Sequence, residues 1–217
     1  MAYRYQRMRM IATVERFSTA SGFLATPFEP EFSSSPRSVH RLWAGVAAGD
    51  QAVRLAVCDW LALEPQGLAA LQPSWDDLPS DQYLKDGGRY RRRRHSCFVV
   101  DGERVEPVPH RAHWQPLEYN ALHGGMERWF DPMDPATVAL PAWQRLMVQT
   151  AAVTSALKGA QRWYIEAHQF RIDTTDGIGR PTPEGAHRDG VELVAVFLVG
   201  REGVKGGETR VFEATGP

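Results

Sequence analysis

His187-Arg188-Asp189 is the tripeptide of this sequence best equipped to do chemistry. In an extended chain successive side chains point to opposite faces, so His187 and Asp189 project the same way and can reach one ion, while Arg188 points elsewhere. An imidazole and a carboxylate are two thirds of the 2-His-1-carboxylate facial triad, which holds non-heme Fe(II) and leaves positions open for a cosubstrate and O2. A His-x-Asp tripeptide alone is a weak signal, because a chain with 7 histidines produces one readily by composition. Its placement strengthens it. The tripeptide follows the loop Gly179-Arg180-Pro181-Thr182-Pro183-Glu184-Gly185 and stands at the mouth of a strand, where a ligand pair faces a cavity.

The elements that must position this pair are legible from periodicity. Trp163 to Ile172 alternates as a strand does, Thr174 to Gly185 is a loop dense in Gly and Pro, and Val191 to Val199 is a nearly continuous apolar run typical of a buried strand. On the first strand Gln169 and Arg171 share one face, and His168, Phe170 and Ile172 share the other. If the apolar set packs against outer helices, Gln169 and Arg171 line the interior, where an arginine can hold a carboxylate bidentately; the opposite assignment buries His168 inside. The first assignment is the expectation.

Upstream, Leu140, Trp143, Met147, Thr150, Ala151, Thr154 and Leu157 form one helical face between Pro135 and Gly159, with proline at a first-turn position and glycine as stop signal. Arg89 to Val100 reads as a strand turned by Asp101-Gly102 into Arg104 to Val108. Residues 39–63 predict two short amphipathic helices closed by Pro65 and Gly67, and Glu208 to Glu213 another strand after a turn at 203–207. The first forty residues read as a segment laid over a domain surface. Helices followed by antiparallel strands favour an α+β domain, with helices outside a sandwich or barrel.

Composition bounds the rest. A chain of 217 residues, 43% hydrophobic and 24% charged, is one soluble globular domain, 1–217. A net charge of -1 gives no global pull toward nucleic acid or an anionic membrane. The run Arg91-Arg92-Arg93-Arg94 does not alter this, because strand alternation splits it between two sheet faces. The two cysteines, Cys58 and Cys97, are too few for a disulfide framework. No apolar stretch approaches the ~20 residues of a membrane-spanning helix, and no signal-peptide core follows Met1, so a cytoplasmic address is expected. No Gly-rich phosphate loop, Gly-x-Ser-x-Gly elbow or His-Glu-x-x-His occurs.

Several separated motifs then match one family in order. His168-Gln169-Phe170-Arg171-Ile172, Pro181-Thr182-Pro183-Glu184-Gly185, His187-Arg188-Asp189-Gly190 and Gly206-Gly207-Glu208-Thr209 resemble the Fe(II)/2-oxoglutarate dioxygenases of the L-isoleucine dioxygenase kind, which hydroxylate free L-amino acids. Two earlier pieces, residues 86–94 and Glu118-Tyr119-Asn120 followed by Gly124-Gly125, are similar to that family too. The resemblance runs from about Tyr83 onward, so the expected organisation is an N-terminal helical or irregular portion, 1–80, and a jelly-roll portion, 81–217.

The resemblance implies a double-stranded β-helix with His187 and Asp189 as metal ligands and no catalytic group beyond them. Fe(II) and 2-oxoglutarate are the implied cofactors, with Gln169 and Arg171 on the 2-oxoglutarate side and Tyr119 and Asn120 toward a free L-amino acid. The family pattern adds a second histidine on a later strand, and no histidine follows Asp189. The jelly roll is therefore expected to lack its last strands, leaving an open sheet edge that a second copy of the chain can cover. His168 is the nearest upstream histidine able to complete the site instead. Two other readings stand beside the oxygenase: a catalytically inactive jelly-roll module binding a small molecule or protein, and a cupin-like isomerase or hydrolase using another divalent ion. None of the three calls for nucleic acid or a membrane as partner.

Overall fold

The computed structural model describes residues 6–16, 65–120, 122–174, 177–180, 183, 185, 187, 189–191 and 193–202. The helices expected within 39–63, the turn at 203–207 and the strand at 208–213 lie outside the described residues.

Among the described residues five strands form one sheet. β1 spans Gln6–Arg16, β2 Arg91–Asp101, β3 Arg104–Pro107, β4 Trp163–Asp173 and β5 Leu193–Glu202, in the spatial order β3-β2-β4-β1-β5. The β2–β3 hairpin closes where Asp101-Gly102 predicts it, through a two-residue loop in which Gly102 takes φ +58°, a conformation open to glycine at little cost. β2 and β4 pair antiparallel over ten residues, from Arg91 opposite Ile172 to Val100 opposite Trp163. β1 departs from expectation: it lies between β4 and β5, parallel to both, so the sheet is mixed and the N-terminal segment is an inner strand. The alternation Arg7-Met8-Arg9-Met10 carries a period of two that the segment's charge obscures.

The helices cover one face of this sheet. The expected 135–159 helix divides in two: Pro135–Val138, capped by the Asp134 carboxylate accepting from the Ala136 N–H at 2.8 Å, and Pro141–Lys158. Each starts with proline at a first-turn position, and Gly159 ends the second at φ +94°. Ala142, Trp143, Leu146, Met147, Thr150, Ala151 and Thr154 of the long helix are buried at three- and four-residue spacing. The hydroxyls of Thr150 and Thr154 donate back to the carbonyls of Leu146 and Thr150, which lets both sit in the core.

The alternate residues Phe98 and Val100 of β2 and Trp163, Ile165 and Ala167 of β4 meet that helix, joined by Leu71, Trp75 and Leu78 from around the 3-10 helix Gln72–Trp75. Trp143 is fully buried at 0% exposure, so Trp143→Ala would cost about 3–5 kcal/mol.

Candidate active site

The other face of the β2–β4 pair is polar. Arg91, Arg93, His95 and Cys97 alternate along β2 and are buried, and opposite them β4 brings Glu166 and His168. This is the interior, and the arginine run does split between faces. Arg91 and Arg93 turn in, while Arg92 and Arg94 turn out and donate to the carbonyls of Leu78, Asp77 and Pro132. Arg91 Nε sits 2.7 Å from the Asp81 carboxylate, and Arg93 NH1 lies 3.8 Å from the same oxygen. The Arg93 guanidinium is held between two rings, 3.7 Å from the Phe130 centroid and 4.4 Å from that of Phe170.

Gln169 and Arg171 are on the opposite face from His168, contrary to the expectation that they line the interior. Gln169 donates to the Ser74 hydroxyl at 2.7 Å; Arg171 pairs with Asp173 at 2.9 Å and donates to the Asp76 carbonyl at 2.9 Å. The first half of the strand decides this. Trp163, Ile165 and Ala167 share their face, and burying those three against the helices outweighs Phe170 and Ile172 at the far end.

His168 therefore lies inside, 1% exposed, with His95 and His113. Ligand-capable atoms of these three histidines lie within 4.8 Å of one another, close enough to hold a metal ion, and His95, Cys97 and Glu166 form a second such group. The rings stack or cross at 4.6–5.3 Å between centroids. One contact opposes a cation there. Arg93 NH2 is 2.7 Å from His168 Nδ1; a guanidinium only donates, so Nδ1 accepts and the ring proton sits on Nε2. A metal on His168 Nε2 would have to displace that proton beside a buried positive charge.

The loop between β4 and β5 carries the other group. His187 Nδ1 is 2.9 Å from the Gly185 carbonyl, which only accepts; a proton is therefore on Nδ1, and in the neutral ring the lone pair is on Nε2. That Nε2 faces Asp189 Oδ1 at 3.6 Å. The separation is too long for a hydrogen bond, and it sets a lone pair against a carboxylate. His187 and Asp189 would be the residues that hold the metal. Histidine anchored through its far nitrogen to a carbonyl is the arrangement that presents an imidazole to a metal. By the chemistry of its donors, then, this pair fits Fe(II). Neither group of three metal-capable side chains among the described residues includes it, and His168 belongs to the interior histidines instead.

The 113–128 segment brings the remaining predicted residues to this pair. Asn120 Nδ2 donates to Gln115 Oε1 at 3.2 Å, and Gln115 Nε2 donates to Asp189 Oδ1 at 3.2 Å, so Asn120 reaches the pair through one intermediary. Tyr119 rests its ring on Gly190: a methyl group there would come within 2.8 Å of Tyr119 Cδ2, and φ +66° also favours glycine. Gln115 and its donor Arg128 are site residues that sequence reasoning missed. Their signal was faint, because isolated polar residues in a loop look solvated, yet both are buried. Elsewhere a cleft of about 340 Å³ opens between β2 and residues 107–111 and 132–139; neither His187 nor Asp189 lines it.

With this geometry in place, comparison with known proteins decides the family. The 2OG-Fe dioxygenase family matches over residues 72–217. The chain belongs to that family. Among solved structures it is similar to the crystal structure of a BsmA homologue (Mpe_A2762) from Methylobium petroleophilum PM1, at 50% identity and a TM-score of 0.59, over 64% of this chain and 56% of that one. It thus spans a little over half the length of that relative. No curated protein matches. The 2OG-Fe dioxygenase family uses Fe(II) and 2-oxoglutarate and implies a jelly-roll fold. Its match covers the 3-10 helix, every strand after β1, the interior histidines and the loop pair.

Proposed function

We propose that this 2OG-Fe dioxygenase hydroxylates a free L-amino acid, with His187 and Asp189 as iron ligands. The observation that carries the metal assignment is His187 Nε2 turned onto the Asp189 carboxylate at 3.6 Å, with Nδ1 held by the Gly185 carbonyl. Bound Fe(II) with 2-oxoglutarate supplies O2 activation, coupling loss of CO2 and formation of succinate to insertion of one oxygen atom into a C–H bond.

The residues of the chain bind, orient and shield. Gly185 holds the His187 ring, and Gln115 holds the Asp189 carboxylate. Tyr119, packed on Gly190, walls the pair on one side and is the residue we place toward the substrate. Asn120 supports Gln115, and its contribution to substrate binding is indirect. Gln169 and Arg171, engaged with Ser74, Asp76 and Asp173, do not serve 2-oxoglutarate in this reading. The amino-acid class rests on the motifs shared with the L-isoleucine dioxygenase kind, from the Pro181 loop to His187-Arg188-Asp189-Gly190.

An anaerobic titration of the full chain with Fe(II) and then 2-oxoglutarate tests the metal assignment. The visible charge-transfer band of chelated iron is expected, lost in Asp189→Ala and kept in His113→Gln. A band that survives Asp189→Ala, or disappears only in His113→Gln, would move the iron to the interior histidines. Succinate release that needs Fe(II), 2-oxoglutarate and one of a panel of L-amino acids tests the substrate class. Release that no amino acid stimulates would remove it.

A further inference from the structure

We infer that Gln115 is the positioning residue of the iron site: a buried amide that accepts from Arg128 and Asn120 and donates to the Asp189 carboxylate, holding the carboxylate in place. This inference rests on the assignment of the metal to His187 and Asp189.

The orientation of every amide in the chain of contacts is fixed. The His123 N–H donates to Asn120 Oδ1 at 2.8 Å, so the Asn120 oxygen is on that side and its Nδ2 points to Gln115. Gln115 Oε1 then receives two donors, Asn120 Nδ2 at 3.2 Å and Arg128 NH2 at 2.7 Å. Both need an acceptor, so the Gln115 amide cannot be flipped, and its Nε2 donates to Asp189 Oδ1 at 3.2 Å. The backbone locks the same segment: His113 and Arg128 exchange both N–H···O bonds, at 2.9 and 3.0 Å, and Gly125 donates to the Gln115 carbonyl at 2.8 Å. Gln115, Asn120 and Arg128 are 3%, 2% and 2% exposed, so these bonds are formed away from water, where each has its largest orienting effect.

Arg128 polarises the Gln115 amide and strengthens its N–H as a donor to Asp189. Outer partners of this kind typically change metal affinity 10- to 100-fold.

The test is a Co(II) titration of the full chain, read by the visible ligand-field bands and the dissociation constant, beside far-ultraviolet dichroism and thermal unfolding of the metal-free protein. Gln115→Leu removes the donor to Asp189 and is expected to weaken Co(II) binding about 10- to 100-fold and shift the bands. Because this variant also takes the acceptor from Arg128 and Asn120, Gln115→Glu is the control for folding. It keeps the acceptor, preserves the fold, and sets a carboxylate where Asp189 had a donor, which is expected to move the Co(II) bands and affinity away from wild type. Folded Gln115→Glu with wild-type bands and affinity would overturn the inference. Co(II) binding that Asp189→Ala leaves intact would overturn the metal assignment and the inference with it. Binding lost in Asp189→Ala but unchanged in both Gln115 variants would overturn the inference alone.

Discussion

The interior of the sheet and the loop between β4 and β5 are built from the same residue types, histidine, carboxylate and arginine, and they differ in where the guanidinium stands. Inside, Arg91 and Arg93 converge directly on Asp81, and Arg93 also donates to His168. The carboxylate is spent on an ion pair and one imidazole lone pair on a guanidinium. At the loop, the Gln115 amide bonds both Arg128, from the 113–128 segment, and Asp189, and the His187 nitrogen held by Gly185 is the one facing away from the carboxylate. Proximity of histidines and acids therefore does not by itself define a metal site. The protons on their nitrogens, set by the next shell of partners, decide whether lone pairs converge.

The largest effect that sharpens this contrast is on stability. Asp81 is 6% exposed and is the carboxylate on which two buried guanidiniums converge. Asp81→Ala is expected to destabilise the fold by about 3–5 kcal/mol, measured by urea unfolding, because it strands buried charge. Asp189→Ala is the opposite case: it leaves the buried Gln115 donor without its acceptor and should cost about 1–3 kcal/mol, while Fe(II) binding disappears. A variant pair with similar stabilities, or an Asp189→Ala chain that unfolds, would erase the distinction between a structural and a functional acid. Comparable in cost is Gly190→Ala. At φ +66° and against the Tyr119 ring, the added methyl should cost about 1–3 kcal/mol by thermal unfolding and weaken metal binding, since Asp189 is the neighbouring residue.

How much of this was legible in the sequence follows from the range over which each feature is determined. The hairpin at Asp101-Gly102, the long helix ending at Gly159 and the strands beginning near Trp163 and Val191 are set by local periodicity and turn chemistry, and the structure has them. The split of Arg91 to Arg94 between two faces likewise follows from alternation alone. Which face of β4 is inward cannot be read from its last five residues, because Trp163, Ile165 and Ala167 decide it. The place of β1 was not legible at all, since strand order is a property of pairing over more than a hundred intervening residues. His187 and Asp189 were legible as a tripeptide, and so were Tyr119 and Asn120 as neighbours in one motif. Gln115 and Arg128 were not, because a buried hydrogen-bond relay across thirteen residues leaves no spacing rule in the chain.

The smallest predicted effect reports on the loop itself. Asp86 and Tyr90 form an exposed corner just before β2, the Tyr90 hydroxyl donating to the Asp86 carboxylate at 2.7 Å. Burial, and then this bond, push the Tyr90 phenol up to about 12 from its ordinary 10. The same hydroxyl, with the Gly88 N–H, holds Asp86 below the usual carboxylate value. The signs are opposite at the two ends of the pH scale. Tyr90 contributes stability that is present below pH 10 and lost as pH rises toward about 12. Asp86 contributes stability that is present above its unfolded value of 3.8 and lost as pH falls through its folded one. Arg180, in the loop that carries His187 and Asp189, lowers both groups through its charge. Arg180→Ala is therefore expected to raise the Tyr90 titration slightly further, read from its ring resonances against pH, and Asp86→Asn to bring it down toward 10. A Tyr90 titration that ignores Arg180→Ala would mean that the loop does not hold its arginine beside this corner, and the placement of the loop would rest on its contacts with Gln115 and Tyr119.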